Sequence, residues 1–182
     1  GKWDGELNII NGDQVNLANP SIDSLKNNLT YLRAEADTMA LEFRLHNSEI
    51  HKKHISSNDT ANEIFRVLEQ SRIEAKGSDI FKGIKLNIHN KHNVDLKNIN
   101  NKNSDKDYLI NAFKYVSYGE LTNQTLGGKY LSYKKIIKKK LGEQYSNYFN
   151  KLRDNIDNQE NFANQIQLML DNLGFFEKIN TD

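Results

Sequence analysis

The sequence predicts a mostly α-helical domain of six or seven helices, built on a long helical hairpin and carrying a small N-terminal β-hairpin. Three observations support this fold class. Apolar residues recur at alternating steps of three and four over most of the 182 residues, which is the spacing of a helix face. A single proline leaves long helices uninterrupted. Several glycines fall where an apolar pattern stops, as they do at helix ends.

The β-hairpin is predicted from residues 6–17, in which residues alternate in polarity on both sides of the turn signal Asn11-Gly12. We assign residues 1–20 to it, because Pro20 closes the pattern. A first helix of about 30 residues then follows from Leu25, with apolar residues at helical spacing. Residues 55–58 end this helix.

The second helix is predicted to begin at Asn58 or at the capping box that starts with Thr60, and to stop at Gly77. The short connection makes it the antiparallel partner of the first helix. A third, shorter helix covers 80–88, whereas the Asn-rich residues 89–104 show no clean period and predict a mobile loop. Further helices are predicted from a cap at Ser104 to Gly119, and over 130–141, 145–156 and 159–173, so that the helical domain spans 21–174.

The composition excludes several classes of protein. With 25 Lys and Arg against 24 Asp and Glu, the net charge is only +1, so no overall field attracts nucleic acid or an anionic membrane. Without cysteine, the chain has no disulfide, thiolate zinc site or cysteine nucleophile. It also has no apolar run long enough for a membrane span and no apolar signal-peptide core at its start. We therefore expect a cytoplasmic location.

Three histidines within nine residues, His46, His51 and His54, form with Glu49 a candidate site for zinc, cobalt or iron. None of them shares the i, i+4 spacing that lets two imidazoles on a helix hold one ion, which argues against chelation. His46 falls on the apolar face, and we interpret it as a core-edge histidine that is hydrogen-bonded to a carbonyl or to a carboxylate such as Glu42.

Charged residues of the second helix form another candidate cluster. In the predicted hairpin, Glu69 lies opposite Arg44, and Arg72 lies near Asp37 or Leu41. This arrangement would be either an interhelical ion-pair ladder that fixes the register of the hairpin, or a conformational latch or partner-binding edge. The basic run at 134–140 is interpreted as a solvated helix face that could alternatively touch phosphate or an acidic partner. Residues 126–130 lack the glycine and hydroxyl pattern of a phosphate loop, so ATP binding is not expected.

Two strings, residues 33–51 and 64–77, resemble the N-terminal region of the CobT family. The first matches an arginine, an aspartate and an R-x-H with a second histidine five residues on, and the second matches F-x-x-L-E-Q-x-R-x-E-x-x-G. Residues 157–163 resemble that family as well. The matching positions are Arg33, Asp37, Arg44, His46, His51, Phe65, Leu68, Glu69, Gln70, Arg72, Glu74 and Gly77. All of them except Phe65, Leu68 and Gly77 form the candidate interhelical or partner-binding cluster.

The resemblance implies the N-terminal assembly and coupling domain of the T subunit of an aerobic, ATP-dependent cobaltochelatase. That enzyme inserts cobalt into hydrogenobyrinic acid a,c-diamide during cobalamin biosynthesis, and this domain would not itself be catalytic. ATP and Mg²⁺ would act elsewhere in the complex, with cobalt as the substrate. The implied partners are a CobS-like AAA+ ATPase subunit and a CobN-like large subunit in a ring-containing assembly, with neither nucleic acid nor membrane.

In that family an acidic linker leads to a von Willebrand factor A-type domain with a Mg²⁺-binding D-x-S-x-S motif. The motif does not occur in this sequence, so we expect residues 175–182 to be the start of the linker. Two other functions stay open. His46, His51 and His54 could make the chain a metal carrier, or the domain could be a helical adaptor for an AAA+ ATPase that acts on another metalloprotein.

Overall fold

The computed structural model describes residues 9–11, 14–16, 22–99 and 104–175, with side chains from Asn28 onward. The predicted mostly α-helical class is confirmed. Strands β1 (Ile9–Asn11) and β2 (Gln14–Asn16) pair antiparallel, with Ile9 opposite Asn16. The predicted turn residues 12–13, and the predicted linker from 176 onward, lie outside the described residues.

Helix α1 (Ile22–Leu45) ends earlier than predicted, and the short helix α2 (Ser48–Lys53) follows it. The reason is local, because the Asn47 side chain accepts hydrogen bonds from the backbone N–H groups of Glu49 and Ile50 and so starts a new helix. The single helix predicted to run to about residue 54 is therefore wrong beyond Leu45.

Helix α3 (Asp59–Ile80) is the centre of the fold and packs against α1, α4, α5 and α8. It begins where predicted, since Asn58 caps it by accepting from the Ala61 N–H. Gly77 does not end the helix as predicted. A side chain at this position would overlap Leu41 of α1, so glycine is needed for the close approach of the two helices.

Helix α4 (Lys82–Asn98) replaces most of the predicted loop over 89–104, so that prediction is wrong as far as Asn98. Its inward face carries Ile88, His92 and Leu96, which are all buried at steps of four residues. Burial of this narrow stripe supplies the stabilisation that the Asn-rich composition does not suggest.

Ser104 and Asp107 form a capping box at the start of the next helix, which confirms the predicted cap at Ser104. That helix passes beyond the predicted stop at Gly119, where only glycine fits beside Tyr130. Within the described residues, no helix combines the length and apolar composition that crossing a bilayer requires. The remaining elements are α5 (Asp105–Thr122), α6 (Tyr130–Leu141), the 3-10 turn Gly142–Gln144, α7 (Tyr145–Asp154) and α8 (Gln159–Asn172).

Candidate functional site

Arg72, in the middle of α3, is the largest polar side chain in the core, with 2% of its surface exposed. Its Nη2 donates to the carbonyl oxygen of Leu45 at the end of α1, over 2.8 Å. Its Nη1 donates over 3.3 Å to the carbonyl oxygen of Ile156, between α7 and α8. One guanidinium therefore joins three segments that are far apart in the sequence.

Glu69, one turn before Arg72, balances this buried charge. Its carboxylate accepts from Arg72 Nε at 2.9 Å and from Arg72 Nη2 at 2.8 Å. His46 Nδ1 lies 3.1 Å from Glu69 Oε1, the same oxygen that accepts from Arg72 Nη2. Paired, planar groups of this kind can hold a charge in the core, because each replaces the hydration that the other has lost.

The predicted ion pairs between the two helices are wrong in their partners. Arg44 is exposed, and Glu69 pairs instead with Arg72 on its own helix. Asp37 accepts from Asn87 Nδ2 of α4 at 2.9 Å and not from Arg72. The reason is that an i, i+3 pair on one helix needs no adjustment of the distance between two helices.

Gln159, the first residue of α8, fastens the α1–α2 junction to this cluster. Its side-chain oxygen accepts from the Asn47 N–H at 2.7 Å, and its Nε2 donates to the Asn47 carbonyl at 3.0 Å. Gln159 carries no charge that would mark it in the sequence, although it lies within the stretch that resembles the family. We call His46, Glu69, Arg72 and Gln159 the clasp.

The histidines lie beside the clasp, and their geometry is that of packing. His46 bonds to a carboxylate, as interpreted, but the partner is Glu69 and not Glu42. His51 meets His46 edge-on, with ring centroids 5.2 Å apart, and burial followed by the charge of His46 lowers the pKa of His51. Both nitrogens of His54 are engaged, with Ile50 O and with Asn164 Oδ1. Among the described residues, no group of histidines and carboxylates is arranged to hold a metal ion.

A second buried pair lies further along α3, where Glu74 faces α4. Its Oε2 lies 2.7 Å from His92 Nε2, and Gln70 Nε2 donates to its Oε1 over 3.3 Å. Burial opposes ionisation, but the neighbouring His92 outweighs it and lowers the pKa of Glu74. His92 was missed because it falls in the predicted loop, although its four-residue spacing from Ile88 and Leu96 was a usable signal.

The candidate cluster thus divides by exposure. Glu69, Arg72 and Glu74 are buried and make their contacts within the fold. Arg33 and Arg44 are exposed and lie on one face of α1, because eleven residues make about three helical turns. Chemically, the buried part fixes helices relative to one another, and the exposed part places two cations on the surface.

Comparison with known families gives one match that covers the chain. The family described as "Cobalamin biosynthesis protein CobT" matches residues 2–182. No curated protein and no solved structure matches the sequence significantly.

Proposed function

Because the chain belongs to the CobT family of cobalamin biosynthesis proteins, we propose that it is the assembly and coupling domain of the T subunit of an ATP-dependent cobaltochelatase. One observation supports this role above the others. Arg72 connects the end of α1, the centre of α3 and the α7–α8 connection through a single buried group.

The clasp would transmit a displacement of one segment to the other segments that Arg72 joins. Moving α1 or the α7–α8 connection away from α3 separates Arg72 from its acceptors inside the core. Each lost hydrogen bond from this charged donor to a buried carbonyl oxygen costs about 1.5 to 3 kcal/mol. The segments therefore move together, as a part must that relays motion from one subunit to another.

The exposed face of α1 is the proposed contact with the AAA+ ATPase subunit. Arg33 and Arg44 supply two cations there, and Phe43, the residue before Arg44, is 47% exposed. Arginine and aromatic residues are enriched at protein–protein interfaces, so this composition suits a contact surface. In this proposal ATP and Mg²⁺ act on the ATPase subunit, and cobalt is inserted as substrate on the large subunit.

The metal-carrier alternative finds no support in the geometry of the histidines, since His54 uses both ring nitrogens within the fold and His46 is engaged with Glu69. An adaptor that serves another metalloprotein client would use the same clasp and the same exposed face. The two coupling roles differ only in the client, so the test must include cobalt insertion itself.

The test uses the full-length subunit with its AAA+ partner in the presence of ATP. We expect the double variant Arg33→Ala/Arg44→Ala to lose capture of the ATPase subunit and to reduce cobalt insertion, with unchanged thermal unfolding. Arg66→Ala is the matched control, because Arg66 is an exposed arginine of α3 that pairs with Glu63. Capture at the wild-type level by the double variant would reject the proposed contact. If the wild-type subunit captures the ATPase subunit but its addition does not change the rate of cobalt insertion, the adaptor role with another client is favoured.

A further inference from the structure

A cavity of about 330 Å³ lies where α2, the beginning of α3 and the first turn of α5 meet. Small-molecule sites in proteins occupy about 300 to 1,000 Å³, so this cavity suits a small ligand. One face of α3 supplies most of the lining, since Asp59, Asn62, Glu63 and Arg66 follow one another at steps of three and one. Among the described residues, none that lines the cavity belongs to α1, so this site is distinct from the proposed contact with the ATPase subunit.

The wall between α2 and α3 is held in place by contacts within the protein. Asn62 Oδ1 accepts from the Ser56 N–H, and Asn62 Nδ2 donates to the Ser56 carbonyl oxygen, each over 2.9 Å. The ring of His51 meets Phe65 edge-on, with centroids 5.1 Å apart. Because burial lowers the pKa of His51, its ring adds no positive charge to the cavity at neutral pH. The cavity is therefore preformed, and a ligand would not need to order it.

The four charged groups of the lining fall into two kinds. Glu63 and Arg66 satisfy each other in an ion pair of 3.3 Å. Asp59 and Lys106, by contrast, form no ion pair and no side-chain hydrogen bond with any residue that the structure describes. Two opposite charges that line one cavity without pairing leave one position for a cation and one for an anion.

We propose that this cavity binds a free α-amino acid with an apolar side chain. The ammonium group of the ligand donates to the Asp59 carboxylate, and its carboxylate accepts from Lys106 Nζ. Its side chain covers Ile55, an apolar residue of the lining that is 58% exposed. A ligand with a single charge would satisfy only one of the two charged residues, whereas an amino acid satisfies both through charge-assisted hydrogen bonds.

The test titrates the full chain with L-leucine and follows the backbone amide signals by NMR. Two derivatives each remove one charge, since L-leucinamide lacks the carboxylate and N-acetyl-L-leucine lacks the ammonium group. We expect saturable shifts around the cavity with L-leucine, and affinities lower by about fivefold or more for each derivative. No saturation below about 10 mM L-leucine, or equal binding of either derivative, overturns the proposal.

Variants assign each charge to its residue. Asp59→Asn weakens L-leucine and L-leucinamide but not N-acetyl-L-leucine, whereas Lys106→Gln weakens L-leucine and N-acetyl-L-leucine but not L-leucinamide. The matched controls are Asp79→Asn, at the far end of α3, and Lys82→Gln, in the first turn of α4, which change exposed charges outside the cavity and leave all three affinities unaltered. If folded Asp59→Asn and Lys106→Gln weaken the three ligands alike, or weaken none, the proposal is wrong.

Discussion

Replacing Arg72 with methionine tests whether the clasp holds the helices together. The substitution keeps an unbranched side chain of similar length but removes the guanidinium. Glu69, which is 2% exposed, then retains a buried carboxylate whose remaining partner is His46. The carbonyl oxygens of Leu45 and Ile156 each lose a donor.

The expected decrease in the free energy of unfolding follows from the loss of the guanidinium's three partners. Breaking a buried pair by removing one partner costs about 3 to 5 kcal/mol, a large fraction of the 5 to 15 kcal/mol that typically holds a domain folded. With a urea dependence of about 2 to 3 kcal/mol per molar for a chain of this size, the unfolding midpoint falls by about 1 to 2.5 M. The assay is urea unfolding followed by circular dichroism.

Two controls separate the effect of the unpaired Glu69 carboxylate from that of losing an arginine. Arg66 makes the same i, i+3 contact with Glu63 on the same helix, but the two side chains are 64% and 45% exposed, so Arg66→Ala costs less than about 1 kcal/mol. The double variant Glu69→Gln/Arg72→Met removes the unpaired carboxylate and recovers part of the loss. If Arg72→Met and Arg66→Ala differ by less than about 1 kcal/mol, or if the double variant is less stable than Arg72→Met, the clasp does not act as described.

Three further predictions address packing, pH and the fourth helix. Gly77→Ala forces a methyl group against Leu41 and destabilises the fold by about 1 to 3 kcal/mol in urea unfolding, while Gly83→Ala, with open space around it, does not. Because the folded state lowers the pKa of His51, the unfolded chain binds more protons as the pH falls below about 6.5. The urea midpoint therefore drops between about pH 7.5 and pH 5, and His51→Gln reduces that drop; an undiminished drop would contradict the assignment. Leu96→Ala lowers the free energy of unfolding by about 2 to 5 kcal/mol and speeds hydrogen exchange of the α4 amides, because Leu96 is buried. Fast exchange over 89–98 in the unmodified chain would instead support the predicted loop.

The clasp residues show how far the sequence leads toward the site. Glu69 and Arg72 were identified from their charges and from their positions in the resembling string, but their partners were not. A charge on a predicted helix has several candidate partners, and the choice among them depends on how closely each helix approaches. Gln159 illustrates the limit, since it is 112 residues from Asn47 and carries no charge to draw attention to it.

The sequence by itself determined the features whose causes act over a few residues. Helical spacing set the mostly α class, and the short polar side chains Asn58 and Ser104 set two helix starts. Tertiary structure decided that residues 89–98 are helical, because the narrow apolar stripe of α4 stabilises a helix only once α1 and α3 cover it. It also decided the pairing of Arg72, whose acceptors at Leu45 and Ile156 lie 27 and 84 residues away. The strength of such contacts depends on burial, and the packing of all the helices together creates that burial.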